Sequence, residues 1–122
     1  MRFISTKVHG IMDYIVGLFL AASPWILGYA RGGAETWVPV VLGLGALVYS
    51  LCTAYEFGAI KSLSVPTHLT LDIGSGILLA LSPWLFGFSE FVFLPHFIIG
   101  LAETGIALMT EKAPREVIRK QP

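Results

Sequence analysis

The stretch HGIMDYIVGLFLAASPWILG, residues 9–28, decides the fold, because HLTLDIGSGILLALSPWLFG, residues 68–87, repeats its skeleton at a constant offset of 59. His9-x3-Asp13-x3-Gly17-x3-Ala21-x-Ser23-Pro24-Trp25-x2-Gly28 returns as His68-x3-Asp72-x3-Gly76-x3-Ala80-x-Ser82-Pro83-Trp84-x2-Gly87. A period of this kind marks one supersecondary unit used twice. Both copies lie in apolar runs long enough to cross a bilayer.

Outward from this pair, uncharged runs define four spans. They are Gly10 to Tyr29, interrupted only by Asp13; Trp37 to Tyr55; Leu69 to Ser89, interrupted only by Asp72; and Phe91 to Thr110, interrupted only by Glu103. Helices of about 20 residues rise roughly 30 Å, the thickness of a hydrocarbon core. The segments lack the period-two alternation of a membrane barrel, and a lone strand would leave backbone groups unpaired in lipid. The expectation is an all-α polytopic membrane protein of four transmembrane helices in two tandem hairpins. Residues 1–122 then form a single membrane domain, with repeat 1 over about 9–57, repeat 2 over about 68–111 and a polar tail over 112–122. The composition agrees, with 55% hydrophobic and 13% charged residues, far from the balance of a soluble domain.

Eight basic and eight acidic residues give no net charge, which removes the electrostatic footprint of a nucleic-acid binder. Their distribution is informative. Arg2, Lys7, Lys61, Lys112, Arg115, Arg119 and Lys120 fall on one side of the spans, and Arg31 alone on the other. The positive-inside rule then places both termini and the middle connection in the cytoplasm, with the protein multi-pass in the cell membrane. Two spans per repeat make the copies parallel, related by a pseudo-two-fold axis along the membrane normal. Arg2 and Lys7 ahead of an apolar run imitate a secretory signal. The second copy at residue 68 argues for a retained first helix. The single cysteine, Cys52, lies in an apolar run and reads as a small buried side chain.

Ser-Pro-Trp sits near the outer end of the first and third spans. Stopping each helix at the serine leaves about 22 Å of helix from the histidine, too short to cross, so the helix is expected to continue through a proline kink. The Ser23 and Ser82 hydroxyls stand ready to serve carbonyls freed by Pro24 and Pro83, while Trp25 and Trp84 suit an interfacial belt. Two copies of Ser-Pro-Trp-x2-Gly-aromatic, Ser23 to Tyr29 and Ser82 to Phe88, resemble the SPW-repeat family of small prokaryotic integral membrane proteins over residues 9 to 110. The resemblance implies a four-helix membrane protein built by duplication and implies no particular activity.

His9, Asp13, Gly17 and Ala21 recur every four residues, as do His68, Asp72, Gly76 and Ala80, so each set winds slowly along one helix face. The small residues permit close helix approach, and the first and third helices are expected to pack on these faces. Gly43, Gly45, Gly100 and Gly105 read as small packing positions on the second and fourth. An aspartate facing lipid costs about 2.5–3.5 kcal/mol at mid-helix, so both acids should turn inward. The histidine four residues earlier is the natural partner, and the carboxylate, taken to lie in the first turn, gains from the helix dipole. Brought together by pseudo-symmetry, the two pairs offer two imidazoles and two carboxylates, a set able to bind a divalent metal or relay protons. Glu103 aligns near Ala46 and His96 near Val40, so both break the symmetry.

No nucleophile elbow, Walker motif, zinc-protease helix or paired-cysteine site is present, and no catalytic residue and no resident cofactor are called. Three readings follow. The leading one is a structural or partner-binding membrane module, homo-oligomeric or seated against another membrane protein, with the bilayer as its medium. The second is a small transporter of ions, protons or solutes through Asp13, Asp72 and Glu103. The third is an intramembrane metal or redox site at His9, Asp13, His68 and Asp72.

Overall fold

Ser5 and Ser64, 59 residues apart like the motif behind them, each start a helix. The Ser5 hydroxyl accepts from the Val8 N–H at 3.2 Å and the Ser64 hydroxyl from the Thr67 N–H at 3.3 Å, satisfying a donor that a helix N-terminus otherwise leaves unpaired. The computed structural model describes residues 1–121. It contains α1 Thr6–Ile26, α2 Ala34–Leu51, α3 Val65–Leu85, α4 Leu94–Met109 and the short α5 Arg115–Arg119. Among the described residues there is no strand, only two isolated bridges, Ile4 to Thr110 and Thr53 to Leu63. Pro122, the end of the polar tail, lies outside the described residues.

α2 and α3 are each long and apolar enough to cross a membrane, and α4, at 16 residues, is a shorter apolar helix. Large apolar side chains such as Ile15, Leu18, Val41, Leu44, Ile98 and Leu101 face outward. The buried side chains include His9, Ser23, Thr53, His68, Asp72 and Thr110. Polar groups inside and apolar groups outside reverse the arrangement that water imposes and suit a chain solvated by lipid.

The Ser-Pro-Trp segment is a helix ending. Proline at 24 leaves the Leu20 carbonyl without its backbone donor, and the Ser23 hydroxyl donates to it at 2.8 Å. Ser82 does the same for the Leu79 carbonyl at 2.7 Å. Each helix runs only two residues beyond its proline, to Ile26 and Leu85. Gly28 and Gly87 then take φ of +74°, the left-handed conformation that glycine adopts without a Cβ penalty. The next N–H, of Tyr29 or Phe88, donates back to the carbonyl of Pro24 or Pro83 at 2.9 and 2.8 Å, closing a Schellman cap. Each helix thus passes through its proline, as expected, and ends one turn after the serine. Trp25 and Trp84 point outward, as an interfacial belt requires.

The first and third helices do pack on their small-residue faces, each against the second helix of its own hairpin. A Cβ on Gly43 would stand 2.7 Å from the Ala21 amide nitrogen and 2.8 Å from the Gly17 carbonyl oxygen. One on Gly100 would stand 2.5 Å from the Ala80 nitrogen. Thus α1 packs on α2 and α3 on α4 by the same backbone approach, and the hairpins meet along α2 and α3. Gly45 and Gly105 meet nothing within 4 Å, so they are not packing positions.

Backbone bonds tie the hairpins together at the end that carries both termini. Leu63 N–H donates to the Cys52 carbonyl and Ala54 N–H to the Leu63 carbonyl, both at 2.7 Å. Fifty-nine residues earlier on one side and 57 later on the other, Ile4 N–H donates to the Met109 carbonyl at 3.0 Å and Glu111 N–H to the Ile4 carbonyl at 2.8 Å. The lead-in of each hairpin thus pairs with the exit of the other. Gly43→Ala should lower unfolding stability in detergent by about 1–3 kcal/mol, whereas Gly45→Ala should change it by less than about 0.5 kcal/mol. Equal losses would show that close approach at Gly43 does not set the hairpin.

Candidate metal centre

His9 is the fourth residue of α1 and His68 the fourth of α3, and in each helix the aspartate follows one turn later. Asp13 and Asp72 are therefore eighth in their helices, beyond the first turn, so the expected helix-dipole support for them is withdrawn. Their partners are the histidines, and the pairing runs across the helices as well as along them. His9 Nε2 lies 3.0 Å from Asp13 Oδ1 on its own helix and 2.8 Å from Asp72 Oδ2 on the other. His68 Nε2 lies 3.0 Å from Asp13 Oδ2 and 3.2 Å from Asp72 Oδ2, without a formed hydrogen bond to either. The two pairs called from sequence are one cluster of four side chains, with one ligand atom from each lying within 4.8 Å of the others.

Two threonines fix how the rings are presented. Thr110 Oγ1 donates its only proton to the Ile106 carbonyl at 2.7 Å and so accepts from His9 Nδ1, also at 2.7 Å. Thr53 Oγ1 donates to the Tyr49 carbonyl at 2.6 Å and accepts from His68 Nδ1 at 2.7 Å. Both imidazoles therefore carry a proton on Nδ1 and turn Nε2 to the carboxylates. A further pair of hydroxyls steadies the acids. Tyr55 Oη donates to Asp13 Oδ2 at 2.8 Å and Tyr49 Oη to Asp72 Oδ1. His9, His68 and Asp72 are 3%, 1% and 2% exposed, so water supplies almost none of the solvation.

This arrangement calls for positive charge. Two imidazoles with bare Nε2 lone pairs set against two carboxylates repel them, whereas a proton on each Nε2, or one divalent cation among the four groups, offsets the buried negative charge. An imidazole whose far nitrogen is held by an outer hydrogen bond is also the usual way a protein orients a metal-binding histidine. The residues present fit a cation of that class.

Glu103 stands beside the cluster without joining it. Its Oε1 accepts from the Ser75 hydroxyl at 2.8 Å, and its Oε2 is buried with no hydrogen-bond partner among the described residues. With His9, Asp13 and Asp72 it lines a cavity of about 180 Å³ between α1 and α4. His96 lies at the other end of the protein. Its Nε2 donates to the Glu35 carbonyl at 2.9 Å, and its ring sits between those of Tyr29 and Phe88, with centroids 5.0 and 4.9 Å away.

Tyr49, Thr53, Tyr55, Ser75 and Thr110 escape the sequence reading. For the threonines a signal exists, since Gly43-x5-Tyr49-x3-Thr53 and Gly100-x5-Ile106-x3-Thr110 match at an offset of 57. Nothing in the sequence marks Tyr55. Thr110→Val would strand the His9 Nδ1 proton and should cost about 1–3 kcal/mol of stability, with Thr110→Ser restoring it. Equal stability of Thr110→Val and wild type would remove the threonine from the network.

Comparison with known proteins bears on this architecture only through a family. No match to a curated protein or to a solved structure was found. The family model described as the SPW repeat domain matches residues 7–110, a range that takes in both Ser-Pro-Trp caps and all four members of the buried cluster. The chain belongs to the SPW repeat domain family.

Proposed function

We propose that this is a four-span membrane protein, with both termini cytoplasmic, that holds one divalent transition-metal ion between His9, Asp13, His68 and Asp72. The observation that carries the reading is the threonine arrangement, which commits both Nδ1 atoms as donors and turns both Nε2 atoms toward two carboxylates in a buried interior. Two imidazole nitrogens and two carboxylate oxygens form a mixed donor set that favours a first-row ion such as Zn²⁺ over Ca²⁺ or Mg²⁺, which prefer all-oxygen ligands. The supporting hydroxyls of Thr53, Thr110, Tyr49 and Tyr55 come from outside the four-residue set.

A second reading has its own observation. His9 Nε2 already hydrogen-bonds Asp72 across the helices at 2.8 Å, so a doubly protonated centre would act as an ionic clasp between hairpins and suit a structural membrane module. Metal binding separates the two. After chelator treatment, the protein in mild detergent should take up about one equivalent of Zn²⁺, or of Co²⁺ read by its visible spectrum, and His9→Ala/His68→Ala should take up none. Affinity should rise with pH, because the ion displaces protons from its ligands. The absence of any site of that stoichiometry, or an unchanged site in the double variant, would leave the clasp as the working function.

Orientation is tested apart from chemistry. A reporter active only outside the cytoplasm, fused after Pro122, should be silent, and the same reporter placed in the Arg31–Gly33 turn should be active; the reverse pattern would invert the topology.

A further inference from the structure

We infer that the cavity between α1 and α4 is a binding site for a hydroxyl-bearing aromatic headgroup that enters from the lipid phase and donates its hydroxyl proton to Glu103. The inference goes beyond the metal reading and does not require a bound ion.

The molecule carries its own template for this ligand. Because Thr53 bonds the Tyr49 carbonyl and Thr110 the Ile106 carbonyl in the same way, Tyr49 and Ile106 are counterparts in the two halves. On the α2–α3 side the Tyr49 phenol occupies the interior. Its ring stands edge-on to His68 at 4.8 Å between centroids and 82° between planes, and its hydroxyl donates to Asp72. On the α1–α4 side the counterpart is isoleucine, which has neither ring nor hydroxyl. That is where the cavity lies, with Ile106 in its wall.

The vacated side also has an acceptor that the filled side lacks. Glu103 is the counterpart of Ala46 and faces the same cavity, its Oε2 buried and without a hydrogen-bond donor among the described residues. A buried carboxylate oxygen left unpaired is costly, and a donor arriving with the ligand would remove that cost. Beyond His9, Asp13 and Asp72 at its inner end, the remaining lining is nearly all apolar. At about 180 Å³ the space exceeds the roughly 150 Å³ cavity known to accept benzene, so one six-membered ring with a substituent fits and a larger fused system does not. Phe19 and Ile98, both cavity-lining and both exposed on the apolar outer surface, place the mouth toward lipid. A tail attached to the ring would leave there.

The test uses 4-hexylphenol, its methyl ether 4-hexylanisole and untailed phenol as probes, measured by calorimetry against the full-length protein in detergent, chelator-treated and Zn²⁺-loaded. The expected result is one saturable site that prefers 4-hexylphenol over 4-hexylanisole by roughly tenfold, the worth of one buried hydrogen bond. Glu103→Ala should erase that preference. Ile106→Tyr, which copies the Tyr49 side of the molecule, should refill the cavity and abolish binding. A tailed probe that binds more tightly than phenol supports entry from lipid, and equal binding overturns that part in favour of a water-borne phenol. No saturable site, equal binding of the phenol and its ether, or an unaltered site in both variants would overturn the proposal. Phenol binding with no metal uptake sinks the metal reading alone, and metal uptake with no phenol preference sinks this one alone.

Discussion

A carboxylate taken out of water must find compensating charge and donors, and Asp13 and Asp72 find both in the same pair of imidazoles. Neither aspartate can be satisfied by its own helix alone. The contact from His9 to Asp72 and that from His68 to Asp13 therefore lock α1 to α3 at the end where the hairpins carry no close-packed glycine interface. Outward from this centre every layer is a consequence. The threonines hold the far sides of the rings, backbone pairing at Ile4 and Leu63 brings those threonines into place, and the Gly17–Gly43 and Gly76–Gly100 contacts keep each hairpin stiff enough to present them.

The two halves agree where the architecture needs them to and differ where one side of the centre is distinguished from the other. Serine caps, glycine contacts, Schellman endings and threonine bonds all occur twice. Tyr49 and Glu103 do not. The first fills and donates; the second lines the cavity and keeps a buried carboxylate oxygen without a donor among the described residues. A symmetric scaffold that keeps one interior face closed and the other open gives the centre a single direction of approach.

Much of this was legible in the residues. The repeat announced the helical hairpins, the inward turn of Asp13 and Asp72 and the role of the serines beside the prolines. The crosswise pairing of His9 with Asp72 was not, because spacing along one helix says which residues share a face and nothing about how two helices are rotated against each other. That each helix passes through its proline followed from the length a span needs, and Gly28 and Gly87 carry the ordinary stop signal just beyond its end. The helix starts were less legible, since Ser5 and Ser64 lie before the matching histidines and hold little hydropathy signal. The glycines at 17, 43, 76 and 100 could be told from those at 45 and 105 only by which side of α2 and α4 met a neighbour.

The paired bridges at Ile4–Thr110 and Leu63–Thr53 have a topological meaning. Each lead-in rests on the exit of the opposite hairpin, so the helices form a closed cycle in which the covalent link from α2 to α3 and the spatial junction between α4 and α1 are interchangeable. Such a cycle has no intrinsic first member. Its geometry is that of two separate hairpins wrapped around a common axis, and the peptide joining them serves to let the halves diverge, giving residues such as Tyr49 and Glu103 one address each where a self-associated pair would be forced to carry both twice.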